Sequence, residues 1–93
     1  MTYMITAGQM RAARALLGID QRQLAELAGV SLPTIQRMEA SMGNVRGVID
    51  TLTKVVEALN RAGIELIAEG TASREGGRGV RLKHASPVEG RSP

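Results

Sequence analysis

Cysteine is absent from the 93 residues, and phenylalanine and tryptophan are absent with it. Without thiols there is no disulfide framework, no thiol nucleophile and no zinc finger or knuckle. Tyr3 is the sole aromatic residue, which argues against the ring-bearing platforms on which single-stranded nucleic acids stack. The one histidine, His84, lies in a polar stretch and cannot make a metal site by itself, so neither a metal nor another cofactor is expected. No run approaches the ~18 apolar residues of a membrane span, and no charged region precedes an apolar stretch at the N-terminus. A cytoplasmic protein without a membrane partner is therefore expected.

What is present is aliphatic. Leu, Ile, Val, Ala and Met must supply whatever core the chain buries. A chain of this size is marginal as a monomer, because little of its surface can be removed from water, and oligomerisation is expected from the outset. The formal net charge of +3 suggests a polyanionic partner until its distribution is considered. Residues 1–69 hold seven basic and seven acidic side chains, whereas residues 70–93 hold five basic residues against Glu75 and Glu89. The whole excess thus lies in the C-terminal stretch. Bulk charge says nothing about the preceding residues, and any case for DNA must come from placement.

Helix starts are written clearly. Thr6 and Gln9 form a capping-box pair, with Ile5 and Met10 at the flanking staple positions. The Ala- and Leu-rich stretch that follows ends at Gly18. Asp20 and Gln23 repeat the box and open a short helix over 21–28, which stops at Gly29. Ser31 caps a third helix over 32–40, with Pro33 in the first turn, where its missing N–H is harmless. A polar loop leads to a fourth helix over roughly 49–62, with Ile49, Leu52, Val55, Val56 and Leu59 on an apolar stripe. Beyond Gly63 the pattern changes. Residues 64–67 and 80–83 alternate in the manner of strands, joined by a Gly-rich connection, and predict a hairpin. Residues 85–93, with two prolines and little apolar content, are expected to be a disordered tail.

Two short helices separated by three residues fit a helix-turn-helix, whose second helix enters the DNA major groove. Ala25 is small where the helices meet, and Gly29 supplies the positive φ that the turn requires. Leu24, Ala28, Val30, Ile35 and Met38 fall on positions facing one core, leaving Leu32, Pro33, Gln36 and Arg37 outward. The run from Gln21 to Glu39 resembles the helix-turn-helix of the xenobiotic-response-element family, which includes phage Cro and repressor proteins. Every fixed position of the pattern Q-x-x-L-A-x-x-A-G-V-S-x-x-T-I-x-R-x-E is filled. The first helix and the segment from Thr51 to Val55 extend the resemblance over residues 4–62. Departures occur at Gly47-Val48, where the family commonly has Pro-Ser, and after Gly63, where β patterning replaces a fifth helix.

The resemblance implies a mainly α fold: a compact four-helix, lambda-repressor-like domain over residues 1–63. To this the sequence adds a β-hairpin over 64–84 as a dimerisation element, and the tail over 85–93. It also implies site residues. Gln21 matches a phosphate-contacting position at a helix N-terminus. Ser31 matches a cap that contacts the backbone, and Leu32, Pro33 and Thr34 match first-turn positions that touch base edges. Gln36 and Arg37 match the next turn, and Asn44 and Arg46 lie in a loop that grips the backbone. Arg14 and Glu39 match a structural ion pair.

Each of these has a plainer reading. Gln36 fits helix surface as well as a DNA contact, and Pro33 fits a helix start as well as a thymine methyl. Arg37 is favoured as a base contact because guanine O6 and N7 suit its guanidinium. A catalytic reading finds no nucleophile–base pair and no phosphate loop after a strand, so an enzyme is not expected. The expected function is sequence-specific regulation of transcription, as a repressor, by a homodimer on a pseudo-palindromic, double-stranded operator. Such a protein would be cytoplasmic and nucleoid-associated through DNA. The alternative is an antitoxin or antiactivator whose residues 64–93 bind a partner protein while the helices hold DNA.

Overall fold

The computed structural model describes residues 5–43, 45 and 47–84. Four helices follow one another: α1 (Ala7–Leu17), α2 (Gln21–Ala28), α3 (Leu32–Glu39) and α4 (Ile49–Arg61). The first two begin in complete capping boxes. Thr6 accepts from the Gln9 N–H while Gln9 accepts from the Thr6 N–H, and Asp20 and Gln23 do the same. Both end in left-handed glycines, Gly18 at φ 71° and Gly29 at φ 72°. A Cβ at Gly29 would meet no atom within 4 Å, so the requirement for glycine there lies in the backbone conformation alone. Ser31 caps α3 through the Thr34 N–H, whereas Val48 offers α4 no side-chain cap.

These helices close on an aliphatic core. Ile5, Met10, Leu24, Ile35, Val55 and Leu59 are its largest fully buried side chains, and Ala25 is buried where α2 meets α3. Two backbone bonds tie the loop after α3 to the entry of α1: Ala7 N–H to the Gly43 carbonyl at 3.1 Å, and Val45 N–H to the Ile5 carbonyl at 2.8 Å. The fourth helix departs from expectation at its start. Val56 is buried, but Ile49, expected on the apolar stripe, is 75% exposed.

The C-terminal hairpin does not form. Among the described residues there is no β-strand, and the backbones of 64–67 and 80–83 do not pair with each other. Two of the backbone groups that a ladder would use on 64–67 are engaged elsewhere, and side chains on either stretch have other partners. Ile64 N–H bonds the Leu59 carbonyl as part of the stop after α4, and the Ile67 carbonyl accepts from Gln9 Nε2 at 3.2 Å. The Arg81 guanidinium donates to the Ala68 and Thr71 carbonyls. The Glu65 carboxylate gathers the Ser73 hydroxyl at 2.7 Å and the Arg74 N–H at 2.8 Å. The apolar side chains also differ in burial: Ile64 and Leu66 pack on the helical core, whereas Val80 and Leu82 are exposed. A two-stranded ladder is marginal even with a tight turn. Across a long Gly-rich connection, the few bonds of two four-residue strands do not offset loop closure. The fold is therefore four helices with an irregular C-terminal segment, and the tail over 85–93 lies outside the described residues.

Candidate nucleic-acid interface

The interface is built from α2, the turn at Gly29 and α3. Burying Ile35 and Met38 fixes the rotation of α3, so Pro33, Gln36 and Arg37, spaced three and four apart, are left exposed on one side. Leu32 and Thr34 are half-buried beside them. Ser31 and Thr34 share a hydroxyl–hydroxyl bond of 2.8 Å, which engages both side chains at the start of the helix. Asn44 and Arg46 lie outside the described residues.

Glu39 is the one polar or charged residue buried among those described, at 6% exposure, and the side chains that hydrogen-bond to it come from α1 and α2. Arg14 Nε meets Oε2 at 2.7 Å and its second nitrogen meets Oε1 at 2.7 Å, a bidentate pair. Gln21 Nε2 adds a bond of 3.1 Å to Oε1, and Arg11 donates to the Glu39 backbone carbonyl at 2.8 Å. A buried carboxylate is costly unless charge and donors surround it, as they do here. The hydrogen bond to Glu39 is also the main reason the Arg14 pKa is raised. Burial opposes the shift, and the charges of Glu39 and Asp20 add to it. The expected Arg14–Glu39 pairing is thus present. It fixes the C-terminal end of α3 to α1 and to the first residue of α2.

The structure brings Leu32, Pro33, Thr34, Gln36 and Arg37 together on α3, with Ser31 at its cap. Gln21 stands apart from them, since its side-chain amide is turned to Glu39. Sequence reasoning passed over two cations. Arg11 lies three residues before Arg14 on the same side of α1, a spacing that places it beside the end of α3. Arg22 is exposed in the first turn of α2, where the N-terminal backbone N–H groups add to its charge. Among the described residues no group of three His, Cys, Asp or Glu could hold a metal ion, and no helix is long and apolar enough to cross a membrane.

A helix-turn-helix family model matches residues 10–66, which takes in most of α1, all of α2, α3 and α4, and the first residues after α4. The chain belongs to the helix-turn-helix family of the xenobiotic-response-element type, and is a DNA-binding regulator of transcription. No curated protein matches it.

Proposed function

We propose that the protein is a sequence-specific repressor that binds a pseudo-palindromic, double-stranded operator as a homodimer, with α3 in the major groove. The observation that carries this reading is the exposed row of Pro33, Gln36 and Arg37 on a helix anchored by the buried Ile35, Met38 and Glu39. A helix that must read bases needs a fixed rotation and free side chains on one side, and α3 has both. Arg37 is the base-reading residue, since its planar donors match the O6 and N7 acceptors of guanine. Leu32, Pro33 and Thr34 lie against base edges in the first turn, with Gln36 following. Ser31, Gln21, Asn44 and Arg46 serve the phosphate backbone, and Arg22 joins them. Gln21 reaches a phosphate through its backbone N–H, because its side-chain amide holds Glu39. Repression follows from occupancy, because a protein seated over a promoter excludes other proteins from the same DNA.

Selection of bound duplexes from a random pool tests the reading. The expected product is an inverted repeat with half-site centres about one helical turn apart. Enrichment of no motif would remove the sequence-specific role. On the selected site Arg37→Ala should cost about 1–3 kcal/mol and relax one base position per half-site, with smaller loss on random DNA. Arg22→Ala should weaken both alike and reduce the salt slope by about one.

A further inference from the structure

Residues 73–81 arch back toward α1 and the end of α4 and leave a groove of about 670 Å³. Leu16, Ile64, Ile67 and Val80 give it apolar walls. Leu16 is 57% exposed, and Val80 and Leu82 are more exposed still. The Arg74 and Glu75 N–H groups are held by Glu65, but among the described residues no backbone N–H or C=O of residues 76–84 is hydrogen-bonded. The free backbone beside Val80 and Leu82 is open to another chain.

Charge decides what that chain is. Glu65 and Arg81, on the walls, are used within the segment, but Glu75 and Arg78 make no side-chain hydrogen bond or ion pair with any described residue. The groove thus presents one unused charge of each sign, three residues apart. DNA is poorly matched to a groove whose arginines, Arg78 and Arg81, are balanced by Glu65 and Glu75 on apolar walls. A two-fold interface, in contrast, sets each patch against itself, so a patch with both signs can pair each charge with its opposite on the other copy. We propose that this groove receives the same segment of a second copy of the chain, with Val80 and Leu82 in apolar contact and Arg78 of each copy facing Glu75 of the other. This assigns a surface to the homodimer of the proposed function and rests on that reading.

Sedimentation of the full chain without DNA tests it, so that failure here is separate from failure of operator binding, which the duplex selection measures. The unaltered chain should be dimeric at about 100 µM, and Arg78→Glu and Glu75→Arg should each weaken self-association about 10-fold or more by placing like charges together. Mixed together, the two variants should regain the dimer, because positions 75 and 78 are then both acidic in one copy and both basic in the other. Helical circular dichroism should be unchanged in all, since both sites are exposed. A monomeric unaltered chain, a single variant that associates as the unaltered chain does, or a mixture that stays monomeric would each overturn the assignment. So would dimerisation abolished by Ile49→Asp, which alters the exposed apolar residue at the start of α4.

Discussion

The helical unit and the segment after Gly63 satisfy their polar groups by opposite means. In the helices, backbone pairs with backbone, capping boxes take the first N–H groups, and the one buried charge is held by Arg14 and Gln21. In residues 64–84 the long-range work falls to side chains. Glu65 gathers residues 73–75, Arg81 gathers the carbonyls of 68 and 71, and Gln9 reaches from α1 to Ile67. All of the Glu65 and Arg81 bonds are exposed to solvent. Water competes for exposed bonds and does not compete for buried ones, so loss of a polar group should be costly in the first region and small in the second.

The sharpest contrast is Glu39→Ala. It strips a half-buried guanidinium of its partner and frees Gln21, and should destabilise the fold by about 3 kcal/mol in urea denaturation. With Arg14→Ala the loss should be non-additive, the double variant being less damaged than the sum of the singles. Strict additivity would show that the pair does not act as a unit. Gly29→Ala comes next. Its φ of 72° is poorly tolerated by an L residue, so a loss of about 1–2 kcal/mol is expected although the space is open. Asp20→Ala removes a cap and should cost about 1 kcal/mol, read from the same curves.

The smallest effect on the unfolding midpoint belongs to the second region, and acid is the way to see it. The Arg74 N–H and the Ser73 hydroxyl, with the Glu75 N–H, hold the Glu65 carboxyl below its ordinary value near 4.5. The order it lends residues 73–75 is present in full above that value and is lost as pH falls through the lowered folded value. Protection of the Arg74 amide, taken against its intrinsic exchange rate at each pH, should fall over that acid range while the amides of α1 and α3 stay protected. Glu65→Gln should lower that protection at neutral pH and leave the unfolding midpoint unmoved. A midpoint that shifts as far as it does in Glu39→Ala would erase the distinction between the two regions.

Much of the helical unit was legible because its signals are local. Thr6 with Gln9, Asp20 with Gln23, and the glycines at 18 and 29 act across three or four residues, and those helix ends follow them. The pairing of Arg14 with Glu39 was legible through family resemblance, since nothing local joins positions 25 residues apart. The fate of Gln21 was not legible. A glutamine in the first turn of a helix suits a phosphate equally well, and only the arrival of Glu39 at 3.1 Å engages its side chain. Ile49 shows the same limit: periodicity put it on the stripe, but no neighbouring helix covers the start of α4.

By itself the sequence determined the four helices, the glycine-bounded turn between α2 and α3, and the side of α3 that stays free. Each depends on contacts made within a few residues, or on a periodicity that one core enforces. Tertiary structure decided residues 64–84. Alternating side chains there suited a hairpin, but pairing two short stretches across a Gly-rich connection is a long-range choice with little energy behind it. Gln9, Glu65 and Arg81 offered competing partners, and Ile64 and Leu66 packed on the helical core while Val80 and Leu82 stayed exposed.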